Sequence, residues 1–93
     1  MQYTYVLLSQ RDKQFYTGCT DDLRKRVREH NQARVRSTAH RAPLRLIYYE
    51  ACLNRDDALR RERFLKTGKG KRFLKGRLAG FLFGNRHNKL ERH

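Results

Sequence analysis

Acidic side chains are scarce in this chain, and their scarcity is the first clue to its partner. The 93 residues include 9 Asp and Glu against 23 Lys and Arg, so the formal net charge is +14. Mutual repulsion at this charge opposes a compact fold, and a polyanion would relieve it. A nucleic acid is therefore the expected partner, although on charge alone a ribosomal or chromatin-type binder stays open.

Long apolar runs are also missing. No segment is apolar over the length needed to span a bilayer, and no charged-then-apolar leader pattern opens the chain. We therefore expect a cytosolic protein without a membrane-spanning segment. The length predicts one small domain with a compact core.

Cysteine is nearly absent too. Cys19 and Cys52 lie far apart in the sequence, and no CxxC pair occurs. In the reducing cytosol both are expected to be free thiols. The four histidines show no zinc-ligand spacing relative to the two cysteines, which argues against a structural zinc site.

The first eighteen residues predict a β-hairpin. Residues 3–8 are rich in β-forming side chains, residues 10–13 form a polar loop, and residues 14–18 return as a second strand. These neighbouring strands carry Tyr5 and Tyr16. Gly18 is predicted to end the second strand, because the backbone there turns or approaches something closely.

A helix is predicted next, from the N-cap Thr20 to about Gln32. At helical spacing His30 falls on the core-facing side, and Arg26 lies beside it one turn earlier. A polar side chain on such a face is usually just hydrogen-bonded, so a structural histidine is the plain alternative to a functional one.

A basic loop follows over residues 33–42. Its arginines either contact phosphates or form a solvated face: Arg34, Arg36 and Arg41. Pro43 closes the loop, and residues 44–50 predict a third strand, which we expect to be the most buried of the three.

The second predicted helix runs from the N-cap Asn54 to about Thr67 and carries a carboxylate on its apolar face. Glu62 shares that face with Ala58 and Leu65. A carboxylate there is costly unless it is paired or binds a metal ion. The alternatives are an ion pair with one of the many arginines and a ligand for a hard divalent cation.

The segment from Gly68 to Lys71 is more typical of a helix C-cap than of a phosphate loop, because it lacks the Gly-rich spacing and does not follow a strand. A short third helix is predicted over residues 71–78, where the domain, residues 1–78, ends. Residues 79–93 then form a C-terminal extension that is partly disordered, with its last nine residues as a frayed tail.

In chain order, these residues resemble the GIY-YIG nuclease family, most nearly its small stand-alone bacterial members. The first motif corresponds to Tyr3-Thr4-Tyr5 and the second to Tyr16-Thr17-Gly18. Arg26 and His30 stand at the family's positions after the second motif, and Glu62 stands in the family's acidic helix.

Some positions depart from the family pattern. Tyr3 and Thr4 replace the Gly and Ile of the first motif, and Thr17 replaces the Ile of the second. The tyrosines and Gly18 are kept, so we expect the geometry of the site to be kept. No Asn occurs between positions 62 and 85, although many family members carry one there. Its phosphate contact would fall to a basic side chain: Lys69, Lys71 or Arg72.

The resemblance implies an α/β (α+β) fold, a three-stranded antiparallel sheet flanked by helices in the order ββαβαα. It also implies a metal-dependent DNA endonuclease that hydrolyses phosphodiester bonds in DNA repair or processing, with branched or structured DNA among the candidate substrates. Tyr5, assisted by His30, would act as the general base or orient the water, and Tyr16 would hold the phosphate or share the proton network. Arg26 would stabilise the transition state, and Glu62 would hold Mg²⁺ or Mn²⁺.

Two other functions stay open. One is a catalytically silent nucleic-acid-binding module on the same fold, which the missing Asn favours. The other is an RNA-binding or ribosome-associated protein, for which charge is the only support. A carboxylate on an apolar helix face argues against both, because binding alone does not need one.

Overall fold

The structure is a computed structural model that describes the backbone of residues 1–90 and the side chains of residues 1–84. Within these residues, three strands and four α-helices follow one another: β1 (Gln2–Ser9), β2 (Phe15–Thr20), α1 (Leu23–Asn31), β3 (Leu44–Cys52), α2 (Arg55–Leu65), α3 (Gly68–Arg77) and α4 (Ala79–Leu90). A 3-10 turn, Ala39–Arg41, lies in the loop between α1 and β3. The chain forms two compact units, and the second begins at Phe64.

The sheet confirms the predicted fold class, with β1 as its central strand. Its order is β2-β1-β3, and β1 pairs antiparallel with both neighbours. Four consecutive residues of β1, from Thr4 to Leu7, are buried, so both faces of this strand are covered. The prediction that the third strand is the most buried is wrong. β3 lies at an edge of the sheet, because a run of apolar residues does not determine which strand pairs on both sides.

α1 begins later than predicted. Its N-cap is Asp22, whose side chain accepts a hydrogen bond from the Lys25 N–H at 3.1 Å. A carboxylate at this position satisfies a free N–H and favours the positive end of the helix dipole. The N-cap prediction for Thr20 is wrong, because Thr20 is the last residue of β2 and pairs with Tyr3 in the sheet.

α1 ends in a Schellman turn with an alanine in the left-handed position. The Arg34 N–H donates to the Glu29 carbonyl at 3.0 Å, and the Ala33 N–H donates to the His30 carbonyl at 3.2 Å. Ala33 has a φ of 59°, a conformation that glycine ordinarily supplies at this place. The turn ends the helix at Asn31, one residue after His30, and leads the chain into the basic loop.

α2 has the predicted N-cap and is fixed to the sheet near its start. The Asp57 N–H donates to the side-chain oxygen of Asn54 at 3.2 Å. The Thr4 hydroxyl and the Cys19 thiol both donate to the Ala58 carbonyl, at 2.9 and 3.2 Å. These two bonds hold the first turn of α2 against β1 and β2, and the helix ends at Leu65, two residues before the predicted end.

In the second unit, the segment from Gly68 to Lys71 opens α3 and does not cap α2. Thr67 is the N-cap of α3, and its hydroxyl accepts a hydrogen bond from the Gly70 N–H at 3.1 Å. The C-cap prediction is wrong, because none of the glycines in the described residues has the positive φ that such a cap requires. Gly70 lies against the end of α2, where a Cβ would collide with the Phe64 carbonyl oxygen.

α4 covers most of the segment for which the sequence predicted an extension. It runs from Ala79 to Leu90 with non-helical backbone angles at Phe83. Residues 91–93 of the predicted frayed tail lie outside the described residues, and partial disorder of the extension stays a prediction. None of the helices in the described part of the chain is long and apolar enough to cross a membrane.

Candidate active site

A buried tyrosine and a buried histidine are in direct contact in the first unit. Tyr5 comes from the central strand and His30 from the last turn of α1, and their exposed fractions are 1% and 0%. The Tyr5 hydroxyl and the Nε2 of His30 are hydrogen-bonded at 2.8 Å. The fold thus brings together two of the predicted site residues that are 25 positions apart in the sequence.

Tyr16 completes a cluster of three rings. It lies half-buried on β2, with its ring centroid 6.5 Å from that of Tyr5 and 5.1 Å from that of His30. Tilted and edge-on contacts of this kind stabilise aromatic clusters. Both tyrosines of the predicted motifs and the predicted histidine therefore share one site.

Gly18 makes room for Tyr5. The two residues lie opposite each other on β2 and β1. A Cβ on Gly18 would lie 2.5 Å from the Tyr5 hydroxyl oxygen and 2.7 Å from the ring carbon that carries it. The predicted close approach at Gly18 is confirmed. The prediction that the strand ends there is wrong, because β2 continues to Thr20.

Thr38 contacts the other side of the histidine ring. Its hydroxyl oxygen lies 2.6 Å from the Nδ1 of His30, and Thr38 is fully buried. Both ring nitrogens of His30 are therefore hydrogen-bonded, one to the central strand and one to the basic loop. The sequence analysis missed Thr38, because the loop has no periodicity that would place one of its hydroxyls in the core.

Burial keeps the tyrosine and the histidine uncharged near neutral pH. It raises the pKa of the Tyr5 hydroxyl to about 12, although hydrogen bonding from Arg26 acts in the opposite direction. It also lowers the pKa of His30 to about 4, with the positive charge of Arg26 adding to this effect and Glu29 opposing it. A neutral imidazole has one bare nitrogen, so His30 can accept a proton.

Arg26 connects the buried pair to an open groove on the surface of the first unit. This β2–α1 groove has a volume of about 530 Å³ and is lined by Cys19, Thr20, Asp21, Asp22, Lys25, Arg26, Glu29 and Arg55. The Arg26 guanidinium forms an ion pair with Glu29 at 3.3 Å, and its positive charge acts on both Tyr5 and His30. Lys25 and Arg55 add positive charge to the same groove, and three carboxylates line it as well: Asp21, Asp22 and Glu29. Neither Lys25 nor Arg55 was predicted as a site residue, because the packing of α2 against the sheet is what brings Arg55 to the groove.

Glu62 lies half-buried on α2, beside Cys19 of β2. Burial, and then the neighbouring Glu62 carboxylate, raise the pKa of the Cys19 thiol to about 11. Cys19 therefore stays protonated at neutral pH and offers no thiolate. Both cysteines are free, as predicted.

Glu62 fits a metal site that the substrate helps to complete. Among the described side chains, no group of three or more His, Cys, Asp or Glu residues is placed to hold a metal ion. Mg²⁺ is commonly bound by one or two carboxylates, with waters and substrate phosphates as its other ligands. Glu62 is a half-buried carboxylate beside a neutral thiol that lines the open groove, which suits that arrangement.

The predicted phosphate-binding residues occupy different surroundings. Arg34 and Arg36 are exposed in the loop after α1. Arg41 is held by the hairpin, because its guanidinium donates to the Asp12 carboxylate at 2.9 Å and to the Phe15 carbonyl at 3.3 Å. Three further candidates are exposed on α3 in the second unit: Lys69, Lys71 and Arg72.

Fold and site together define a class of protein. A tyrosine and a neutral histidine behind an arginine-lined groove, with a half-buried carboxylate nearby, suit acid–base and electrostatic catalysis on a phosphodiester. The chain belongs to the GIY-YIG family, since the family model for the GIY-YIG catalytic domain matches residues 1–79. The resemblance found in the sequence is thereby confirmed, and it places the chain in a family of nucleases that act on DNA.

Curated relatives of similar size match the chain over most of its length. It is 46% identical over 61 residues to a UPF0213 protein of Lacticaseibacillus paracasei, which covers 64% of this chain and 67% of the relative. It is 37% identical over 67 residues to a UPF0213 protein of Clostridium perfringens, with 71% of each covered. A UPF0213 protein of Pediococcus acidilactici is 40% identical over 76 residues, which are 78% of this chain and 76% of the relative. No solved structure gives a significant match.

Proposed function

We propose that this chain is a metal-dependent endonuclease that hydrolyses DNA phosphodiester bonds, with Mg²⁺ or Mn²⁺ at Glu62. The observation that carries the proposal is the hydrogen bond between Tyr5 and His30, because it joins a hydroxyl to a neutral proton acceptor. Arg26 lines the open groove, and its positive charge acts on both members of this pair. A cytosolic role in DNA repair or processing, on branched or structured DNA, is in keeping with the family.

In this proposal, the β2–α1 groove binds the DNA substrate. Lys25 and Arg26 reach it from α1 and Arg55 from the start of α2, so a phosphate would meet positive charge from two helices. Arginine binds phosphate oxygens with paired donors, and its charge adds to the salt-dependent attraction to DNA. Of the three carboxylates that line the groove, two are engaged with the protein itself, since Asp22 caps α1 and Glu29 pairs with Arg26. The third is Asp21.

In the chemical step, water attacks phosphorus and the bond from phosphorus to the leaving oxygen breaks. The Tyr5 oxygen accepts a proton from the water while Tyr5 passes its own proton to the Nε2 of His30. Arg26 then neutralises the charge that builds up on the pentacovalent phosphorus.

Tyr16 and Glu62 complete the assignment of roles. Tyr16 packs against both partners of the proton transfer and contributes a second hydroxyl for the phosphate or the proton network. A divalent ion bound at Glu62 would stabilise the leaving oxygen. Glu62 would hold that ion through its carboxylate.

Plasmid nicking tests the proposal. Supercoiled plasmid should become nicked with Mg²⁺ and stay intact with EDTA. Glu62→Ala should lower the rate by about 100-fold or more, because it removes the metal ligand, and should leave DNA binding unchanged. Asp56→Ala is the matched control, since it removes an exposed carboxylate from the same helix and should cut like the wild type. A Glu62→Ala protein that cuts at the wild-type rate would show that the metal assignment is wrong.

A catalytically silent DNA-binding module is the second candidate. The absence of an Asn between positions 62 and 85 favours it, because a phosphate contact of many family members is then missing. It predicts salt-dependent DNA binding without nicking in Mg²⁺ or Mn²⁺, on supercoiled, linear and branched DNA alike. If the wild type nicks DNA and the Glu62→Ala variant does not, the silent binding module is excluded.

A further inference from the structure

A chain of hydrogen bonds runs through the buried histidine, and the direction of the bond at one of its ends is fixed. At the open end, the Tyr5 hydroxyl lies 2.8 Å from the Nε2 of His30. At the other end the Thr38 hydroxyl donates to the Val35 carbonyl at 3.5 Å, and a carbonyl can only accept. Between these ends, the Tyr5 hydroxyl, the His30 ring and the Thr38 hydroxyl can each donate and accept.

One arrangement gives every proton in this chain an acceptor. Tyr5 donates to the Nε2 of His30, the Nδ1 of His30 donates to Thr38, and Thr38 donates to the Val35 carbonyl. In the reverse arrangement, Thr38 would donate to the Nδ1 of His30, and the Nε2 of His30 would donate to the Tyr5 oxygen. The buried proton of Tyr5 itself would then have no acceptor in the chain, which is costly.

We propose that Thr38 is a positioning residue that holds His30 in the tautomer with its proton on Nδ1, so that the bare Nε2 faces Tyr5 as a proton acceptor. The inference rests on the proposed nuclease function for its catalytic meaning. The tautomer itself is a property of the free protein.

The surroundings of Thr38 show that the His30 ring is the nearer of the two partners of its hydroxyl. Thr38 is the N-cap of the 3-10 turn Ala39–Arg41, yet its hydroxyl makes no capping bond, although threonine at an N-cap ordinarily does. The Thr38 backbone N–H already donates to the Val35 carbonyl at 3.1 Å, which closes the preceding turn. The closest partner of the hydroxyl is the Nδ1 of His30, at 2.6 Å.

The tautomer decides whether the proton of Tyr5 has a destination. With the proton on Nδ1, the lone pair of Nε2 accepts the Tyr5 proton while the Tyr5 oxygen takes one from water. The imidazolium that forms keeps its Nδ1 proton on Thr38. With the proton on Nε2, His30 has no lone pair toward Tyr5, and the transfer stops.

NMR of ¹⁵N-labelled histidine reads the tautomer in the free protein, without DNA or metal. In the wild type we expect a protonated Nδ1 and a bare Nε2, assigned to His30 by the loss of these signals in His30→Gln. Thr38→Ser keeps the hydroxyl and should keep the tautomer. Thr38→Val replaces the hydroxyl with a methyl group and should shift the population toward Nε2–H. A wild-type proton on Nε2, or a folded Thr38→Val with an unchanged tautomer, would overturn the proposal.

If Thr38→Val does not fold, the wild type and Thr38→Ser still test whether the Thr38 hydroxyl sets the tautomer of His30. A Thr38→Ser protein that is folded and has its proton on Nε2 would overturn the proposal. The wild-type tautomer retained in Thr38→Ser would support it.

Cleavage rates connect the tautomer to function. Thr38→Val should cut about 100-fold more slowly at unchanged DNA affinity, and Thr38→Ser should restore the rate. Ser37→Ala, which removes the neighbouring exposed hydroxyl, is the control and should change neither the rate nor the tautomer. A Thr38→Val protein with a shifted tautomer and the wild-type rate would overturn the role in catalysis. The wild type and all the variants could fail to nick DNA while the NMR signals show the expected tautomers. That result would contradict the nuclease function but would support the role of Thr38 in positioning His30.

Discussion

Among single residues, Tyr5 combines a structural role with a proposed catalytic one. Tyr5→Phe keeps the ring but leaves the buried Nε2 of His30 without a partner. An unsatisfied buried group costs about 1–3 kcal/mol in the free energy of unfolding, more than an average hydrogen bond. The catalytic role predicts in addition a fall of about 10²–10⁴-fold in the nicking rate at unchanged DNA affinity. Denaturant unfolding, DNA binding and nicking on one preparation separate the two effects.

Tyr49→Phe is the matched control for this change. Tyr49 lies opposite Tyr5 on β3 and is 52% exposed, so the same chemical change there should affect neither stability nor nicking strongly. A folded Tyr5→Phe that nicks like the wild type would remove Tyr5 from the chemistry. The search for a base would then move to Tyr16 or His30.

The low pKa of His30 predicts a loss of stability in mild acid. The unfolded histidine takes up a proton near pH 6.5, whereas the folded one does so only near pH 4. Between these values the unfolded state binds more protons, so the free energy of unfolding falls as the pH falls from 6.5 toward 4. The full loss over this window is roughly 3 kcal/mol. Tyr5 and Tyr16 face the ring from the sheet, while Arg26 and Glu29 act on it from its own helix.

Denaturant unfolding at pH 7 and pH 5 measures this loss. His30→Gln cannot titrate at this position, so the difference between its free energies of unfolding at the two pH values should be smaller than in the wild type. Equal differences in the two proteins would contradict a lowered pKa of His30.

Some residues of the candidate site could be predicted from the sequence, and others could not. Tyr5, Tyr16 and His30 could be predicted together because motif residues stand at fixed positions on elements that are neighbours in the chain. Thr38 could not, because it reaches His30 from an aperiodic loop through a tertiary contact. Arg55 could not either, because its place in the groove depends on how α2 packs against the sheet.

At the scale of secondary structure, the presence of a helix or strand was easier to predict than the residues at which it begins and ends. Thr20 and Asp22 are both good N-caps, and the pairing of Thr20 with Tyr3 in the sheet decides between them. Gly68 follows one helix and begins the next, so its composition fits a C-cap as well as a first turn. Strand order likewise depends on pairing between distant segments, which local sequence patterns do not contain.

The left-handed alanine at the end of α1 gives a prediction about stability. Ala33 has a φ of 59°, where a residue with a Cβ is disfavoured by about 1–2 kcal/mol relative to glycine. The greater conformational freedom of glycine in the unfolded chain reduces this gain in stability by about 0.4–1 kcal/mol. Ala33→Gly should therefore raise the free energy of unfolding by roughly 0.5–1 kcal/mol, measured by urea titration.

Ala39→Gly is the control for this change, because Ala39 begins the 3-10 turn and does not have a positive φ. It should lower the free energy of unfolding by about 0.5–1 kcal/mol. If Ala33→Gly destabilises the protein as much as Ala39→Gly does, the turn after α1 is not left-handed.

For the molecule as a whole, the charge is unevenly distributed along the chain. The second unit, from Phe64 onward, contains one of the nine acidic residues and nine of the 23 basic ones. The acidic residues therefore concentrate in the first unit, where Asp22, Glu29 and Glu50 have partners within the protein. Charge alone indicates a polyanionic partner but does not distinguish a nuclease from a binder. The nicking rates of the Tyr5→Phe and Glu62→Ala variants would make that distinction.

The net charge predicts that DNA binding depends steeply on salt, because each neutralised phosphate releases counterions. Arg34 and Arg36 are exposed and are the loop residues best placed for such contacts, whereas Arg41 is held by Asp12. Replacing both Arg34 and Arg36 with alanine should make the slope of log affinity against log salt shallower by about 2. Fluorescence anisotropy on a labelled duplex, from low to physiological salt, measures the slope.

A second double variant separates a local contact from a general effect of charge. Arg60→Ala with Arg61→Ala removes two charges as well, but these side chains are paired with Asp57 and Glu50 on the protein. The two double variants have the same net charge, so equal slopes would remove the loop arginines from the DNA interface. A shallower slope in the loop variant alone would assign phosphate contacts to the loop. A wild-type affinity that does not change with salt would exclude binding dominated by phosphates, because counterion release would then be absent.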